Sequence, residues 1–339
     1  MSAVDLSGPR ARADRSDPLD RVLREGADPV VRRLRASALI VAALLLVPVA
    51  WLSDDRDETR AMLEAVIAEY EASPTLPLHL NDRVERWVSE YQTTRRGEFQ
   101  SLLDRSGVFE PMIRRKLRDR GMPEQLLYLA MIESGLSPRA VSHVSAVGLW
   151  QFMGPTAEQF GLRVDEYVDE RRDPVRATDA ALDYLQWLHD RFGSWYLAAA
   201  AYNAGPGRLE RILNVHAQGR RGDEDLYWEV LRHLPLETRE YVPRIVAATI
   251  VASDAEAFGF VAAGDTEAYE YDIVFVPGET RLTTVAESMD IDARIVRDLN
   301  PHLVRGMTPP EELYGVRVPR GRASTVMASL SHPTGIRAD

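Results

Sequence analysis

The longest apolar stretch runs from Ala36 to Leu52 without a charge, preceded by Arg32, Arg33 and Arg35 and followed by Ser53, Asp54 and Asp55. A run of this length is at the short limit for crossing a bilayer and long for the core of a signal peptide. Either reading exports the rest of the chain, and the arginines predict an N-terminus left in the cytoplasm. Ala50 has Pro48 rather than a small residue two positions before it, and the leader before the run is long. Both favour an uncleaved anchor at 36–52 over a cleaved signal. Residues 1–35 are rich in Arg, Asp, Pro and Gly with no sustained apolar period and read as a disordered cytoplasmic tail.

Beyond the run the pattern changes to helical spacing. Met62, Leu63, Val66, Ile67 and Tyr70 form one such stripe, and Val84, Trp87, Val88 and Tyr91 form a second. Further helices are predicted over Phe99 to Asp104 and Phe109 to Arg120. Asp173-Pro174 is a helix cap followed by a first-turn proline, and the apolar face from Ala177 to Leu188 runs to a stop at Gly193. Ser194 opens a helix from Trp195 to Asn203, ended by Gly205-Pro206-Gly207, and a last long helix is predicted from Leu236 to Phe260. After Gly264 the pattern becomes strand (Tyr269 to Phe275), two short helices (Leu282 to Met289, Ala293 to Leu299) and a closing strand (Val316 to Pro319), a separate module of about 50 residues. Residues 321–339 read as a frayed tail.

Composition narrows the options. With 339 residues and 45% hydrophobic content the chain can bury one large core and has room for two domains. A net charge of −11 argues against a nucleic-acid partner. The chain has no cysteine, which removes disulfides, thiolate metal sites, thiol nucleophiles and an acceptor for an N-terminal lipid. No His, Asp or Glu group has the spacing of a metal site, so neither metal nor organic cofactor is expected.

Against this background one acid is out of place. Glu133 ends the apolar stretch Leu126, Leu127, Leu129, Ala130, Met131, Ile132, where a bare carboxylate is expensive. Pro123 suits a helix start and Gly135 the residue just past a helix end, which puts Glu133 in the last turn. The negative end of the helix dipole and the apolar surroundings both predict a raised pKa, as a general acid requires. A buried Glu satisfied by backbone donors or an arginine is the structural alternative.

Four segments bear on that choice: Glu133-Ser134-Gly135; Ala146-Val147-Gly148-Leu149-Trp150-Gln151-Phe152-Met153; Ala201-Tyr202-Asn203-Ala204-Gly205; and Glu237-Thr238-Arg239-Glu240-Tyr241-Val242. In this order, with Asp169 to Pro174 and Pro206-Gly207, they resemble the soluble lytic transglycosylase domain of the goose-type lysozyme superfamily over roughly Phe109 to Ala252. The nearest resemblance is to the membrane-bound lytic transglycosylase D subgroup. Tyr269 to Pro319, with Leu299-Asn300-Pro301 and Thr308-Pro309-Pro310, is similar to the divergent LysM-like segment of that subgroup, although the usual LysM opening is only loosely present in Val276 to Leu282.

The resemblance implies a mainly α, lysozyme-like catalytic domain (109–262) with a helical lead-in (56–108) and a small βααβ LysM-like module (268–320). It implies cleavage of peptidoglycan between N-acetylmuramic acid and N-acetylglucosamine without water, leaving a 1,6-anhydro end, at the periplasmic face of the inner membrane. Glycan strands would be the partner, with the membrane through residues 36–52 and no nucleic acid, and protein partners stay unknown. Glu133 would be the catalytic acid. Ser134 and Gln151 match polar cleft positions, Met153 a groove-lining one, Tyr202 and Asn203 sugar-contacting ones, and Tyr241 the tyrosine beside the acid. Read from the residues alone, Met153 and Tyr202 equally suit the core, Asn203 a helix cap, and Trp150 either sugar stacking or packing. Asp165, Asp169 and Asp173 read as surface and helix-start residues, leaving one strongly placed carboxylate where an ordinary glycosidase needs two. A water-using muramidase and a glycan-holding scaffold are the rival functions. The family usually has Gly-Ala-X-Gly before Leu-Trp-Gln, and Ser145 replaces the first Gly here; a positive φ at that position would strain the loop.

Overall fold

Polar caps and buried stripes together set the helices. The computed structural model describes residues 55–70, 76–261 and 268–331; the tail expected at 1–35 and the anchor at 36–52 lie outside the described residues. Among the described residues no helix is long and apolar enough to cross a membrane. Two helices lead in, α1 (Asp55–Tyr70) and α2 (Asp82–Gln92), the second capped by the Asn81 side chain on the Arg83 and Val84 N–H groups. They are followed by α3 (Arg96–Asp119), a short 3-10 turn at Glu124–Leu126, α4 (Leu127–Ser134) and α5 (Gly154–Gln159). Asp173 caps α6 (Pro174–Phe192) and Ser194 caps α7 (Trp195–Ala204). Then come α8 (Pro206–His216), α9 (Asp225–Val230) and α10 (Leu236–Ser253).

The fold is mainly α, and several expectations change. Phe99 to Asp104 and Phe109 to Arg120 are one helix, α3, which runs through Pro111. Phe99, Leu102, Ser106, Phe109, Ile113 and Leu117 make an unbroken buried stripe on it, and that packing outweighs the hydrogen bond the proline removes. A boundary between 108 and 109 would cut this helix in half. Leu63, Val84 and Phe99 share one core with Leu127, Leu185 and Ile245, so the lead-in is part of the main helical body. The final helix stops at Ser253 rather than Phe260, and Pro206–His216 and Asp225–Val230 add two helices the periodicity did not reveal.

One residue fixes the long C-terminal helix of this body. Glu240 on α10 accepts from Arg83, from Arg86 at 2.6 Å and from the Trp87 indole at 2.8 Å, all on α2. The lead-in thereby orients the helix that carries Tyr241.

The second core is small. β1 (Tyr271–Val276) pairs antiparallel with β2 (Tyr314–Pro319), Tyr271 opposite Pro319 and Val276 opposite Tyr314. Alternation sends Val274, Val276, Val316 and Val318 inward and leaves Ile273 and Phe275 exposed. Between the strands lie α11 (Leu282–Glu287) and α12 (Ala293–Leu299), the latter capped by Asp292. The expected frayed tail is corrected over part of its length: Ala323–Ser331 forms α13, because Val326 buries completely in this core. The module keeps its own core but is joined to the main body. Val168, from the main body's 160–173 segment, is fully buried among the module's valines and pairs with Leu303.

Candidate active site

The candidate acid sits where an apolar helix ends. Leu127 to Met131 are buried on α4, and Gly135 stops the helix in the left-handed conformation (φ 61°), its N–H donating to Met131 O at 2.9 Å. A β-carbon at Gly135 would stand 2.8 Å from the Arg105 guanidinium, which itself donates to Gly135 O at 2.9 Å. Glu133 lies in the last turn, as expected, and Tyr241 on α10 donates its phenol proton to Glu133 Oε1 at 2.5 Å. Burial pushes the Glu133 carboxyl up to about 7. The Tyr241 hydrogen bond opposes that rise, the charge of Glu237 adds to it, and Arg244 opposes it.

A loop tied to the same helix faces the acid. Ser134 Oγ donates to Leu149 O at 2.7 Å and accepts from Ser137 N at 3.3 Å, fastening the end of α4 to the 137–153 loop. Short antiparallel bridges, Val141 with Val147 and Val147 with Phe152, fold that loop on itself. Ser145 has φ 65°, so the positive φ considered for the departing position is present, at a serine. Gly148 (φ 85°) is the position that admits only glycine, since a β-carbon would lie 1.8 Å from Arg171 O. Gln151, itself at φ 48°, donates its amide to Gly148 O at 2.8 Å.

The structure brings Glu133, Ser134 and Gln151 together along a cleft of about 410 Å³ that Glu98, Arg105 and Arg244 also line. The remaining expected residues stand around it. Tyr241 holds the acid from behind. Tyr202 donates to Trp150 O at 2.7 Å, and burial raises its phenol well above the ordinary value. Asn203 accepts from Thr238 Oγ1 at 2.7 Å and donates to Glu237 Oε1 at 3.2 Å, joining α7 to α10. Met153 is exposed, just before α5, so it is not core. Trp150 is completely buried with its indole donating to Thr178 Oγ1 at 3.0 Å; it packs and presents no face for a sugar.

Three other aspartates are accounted for by turns and caps. Asp165 accepts from Tyr167 N and Val168 N, Asp169 from Arg171 N, and Asp173 from Val175 N and Arg176 N. Asp173 is no surface residue, however. It is almost wholly buried, and one guanidinium nitrogen of Arg317 on β2, Nη2, donates to both of its oxygens at 2.7 and 2.8 Å.

Sequence reasoning passed over Arg244, Glu237 and Glu98. Glu237, Tyr241 and Arg244 follow one another by four and three residues, one face of α10 turned to the acid, and this spacing was the available signal. The Arg244 guanidinium lies 5.2 Å from the Trp87 ring centroid, and its buried Nε has no hydrogen-bond partner among the described residues.

An acid held at the end of an apolar helix, braced by a tyrosine and faced by a glycine-dependent loop, defines a candidate acid–base cleft on a helical body. Two family profiles match the chain. Residues 110–223 match the family profile described as transglycosylase SLT domain, and residues 270–334 the one described as lytic transglycosylase MltD, LysM-like domain. Two stretches of the chain are thus similar to lytic transglycosylases, one to the SLT domain and one to the LysM-like domain of the D subgroup. Membrane-bound lytic murein transglycosylase D of Escherichia coli strain K12 is 28% identical over 253 residues, 74% of this chain and 55% of that protein. Membrane-bound lytic murein transglycosylase F of Alcanivorax borkumensis is 28% identical over 62% of this chain and 46% of its own length. The chain thus spans about half the length of these relatives. The 70 kDa soluble lytic transglycosylase of Escherichia coli superposes on 71% of this chain and 48% of its own, at 15% identity and a TM-score of 0.38.

Proposed function

We propose that this protein is a peptidoglycan lytic transglycosylase that cleaves the β-1,4 bond between N-acetylmuramic acid and N-acetylglucosamine without water. The observation that carries the reading is Glu133, a carboxyl held near neutrality in its pKa inside a cleft and touching Tyr241. Protonated, it donates to the glycosidic oxygen as the bond to the anomeric carbon breaks, while the substrate's acetamido oxygen supports that carbon. The resulting carboxylate then takes the proton of the muramoyl 6-hydroxyl as its oxygen closes on the anomeric carbon. One residue serves as acid and base because the nucleophile belongs to the substrate and is already near. A pKa near 7 suits both halves of the cycle.

Ser134 and Gln151 act in this reading as the cleft's polar wall, and Met153 as an exposed rim contact. Tyr202 and Asn203 position the acid's surroundings from α7, and Tyr241 holds the acid itself. The 109–262 region, with its 56–108 lead-in, is the catalytic part and 268–320 the LysM-like part. Residues 36–52 anchor the chain in the inner membrane with the catalytic part in the periplasm. The arginine-flanked apolar run and relatives named as membrane-bound support this placement.

Digestion of purified sacculi by the wild-type chain and by Glu133→Gln, followed by mass spectrometry, tests the chemistry. Soluble fragments ending in 1,6-anhydro sugars are expected from the wild type alone. Reducing ends in their place would make the protein a muramidase with Glu98 as the candidate second carboxylate, since that residue lines the same cleft. Binding without any release would leave a scaffold. Resistance of the full chain to alkaline extraction from membranes tests the anchor.

A further inference from the structure

A second cleft, of about 470 Å³, opens where the helical body meets the LysM-like domain, and five arginines line it: Arg139, Arg172, Arg281, Arg297 and Arg305. The chain is rich in arginine, and these five converge on one cleft. Arg139 pairs with Asp298 at 2.6 Å and Arg305 with Glu166 at 2.5 Å. Arg172 stands 3.7 Å from Asp169, and its buried Nε has no hydrogen-bond partner among the described residues. Arg281 and Arg297, both exposed, make no ion pair among the described residues. The cleft therefore holds more cations than it has carboxylates to answer them.

Its floor is rigid. The Asn300 amide donates to Val296 O at 2.8 Å and to Arg317 O at 2.7 Å, and its oxygen accepts from Arg317 N at 2.9 Å. The two sides are fastened by Asp169 N to His302 O (2.9 Å) and Val304 N to Tyr167 O (3.0 Å). A preformed cleft of this size, walled by guanidinium forks, suits a ligand bearing several carboxylates, which such forks take two oxygens at a time.

The loop after α4 connects this cleft to the acid. Ala140, Val141 and Ser142 line the Glu133 cleft, whereas their neighbour Arg139 lines the arginine cleft. A polymer whose sugar bond lies at Glu133 can thus place a side branch among the arginines. On the proposed reading, peptidoglycan has such branches, the peptide stems on its muramoyl units, and they end in carboxylates. We infer that the arginine cleft at the junction of the two domains binds the acidic peptide stem of the glycan, giving the enzyme a preference for stem-bearing strands. This rests on the peptidoglycan reading, and its test does not require cleavage.

The full chain carrying Glu133→Gln is titrated calorimetrically with a soluble disaccharide bearing an acidic stem and with the same disaccharide stripped of it. Arg281→Glu with Arg297→Glu is then added in that background. Reversal of the two exposed charges is expected to weaken stem-bearing ligand by about tenfold relative to stripped ligand, the effect of losing one or two charge-assisted hydrogen bonds. Arg281→Gln with Arg297→Gln should fall between. Equal weakening of both ligands, or of neither, overturns the inference, as does displacement of the stem by inorganic phosphate at equal concentration, which would mark the cleft as a phosphate site. If wild-type protein leaves sacculi intact, the proposed activity falls while these titrations still score the stem site.

Discussion

Two buried carboxyls sit in this molecule in opposite electrical circumstances. Glu133 has a phenol for a partner, and burial lifts its carboxyl to about 7. Asp173 is the less exposed of the two, but Arg317 and His302 overturn the effect of burial and hold it below the ordinary carboxylate range. Desolvation is common to both, so the partner decides. A phenol leaves the acid able to carry a proton at neutral pH, while a guanidinium nitrogen shared by both oxygens favours the anion and makes it a fastener between the domains. The same chemistry reaches His302, which stands 3.5 Å from Asp173 and which burial lowers to about 4, keeping it neutral.

The two acids should respond oppositely to pH. Glu133 binds its proton more tightly folded than unfolded, so its stabilisation is complete below the ordinary 4.5 and disappears as pH rises through about 7. Asp173 has a lowered folded value, so its contribution is present above the ordinary 3.8 and is lost as pH falls through the folded value. His302 adds to that acid-side loss, since it must take a proton in the unfolded chain between 6.5 and about 4.

The largest expected effect separates chemistry from structure. Glu133→Gln should lower release of soluble glycan by about a thousandfold, the usual contribution of a general acid, with the fold intact. Its thermal stability relative to wild type should rise between pH 5 and 8, by an amount on the order of 3 kcal/mol at full ionisation; a pH-independent difference would remove Glu133 from the comparison. Arg317→Met should cost about 3 kcal/mol in urea unfolding, because it strands Asp173 without a counter-charge. A neutral outcome would show that the pair is not the fastener between the domains. Tyr241→Phe removes the hydrogen bond that lowers the Glu133 pKa, so the alkaline limb of the rate profile should move up by about one unit. A downward shift would contradict the assigned partner. Smallest, Ser145→Gly should stabilise the chain by about 1 kcal/mol by relieving a left-handed serine, readable as a raised midpoint, and should leave the Glu133 limb in place.

Local patterns in the chain determined more of this protein than its 28% identity to a relative suggests. Helix caps at Asp173 and Ser194, the left-handed stop at Gly135 and the alternation of Val274, Val276, Val316 and Val318 are all short-range, and each stood in the sequence because the cost of a misplaced cap or valine is local. The awkwardness of Glu133 was equally visible, since an acid at the end of a buried apolar helix is unfavourable in any fold. The resemblance already implied Tyr241 beside Glu133, but tertiary structure packed Trp150 away from the cleft, carried α3 through Pro111 and brought Arg317 144 residues along the chain to Asp173. Partners so distant in sequence have no spacing to betray them, because the contacts exist only once two cores have packed. The sequence by itself marked the acid that could be catalytic and the caps that frame it. The raised pKa of Glu133 was legible too; only the folded chain determined that Asp173 becomes an anchor, since that depends on the Arg317 charge facing it.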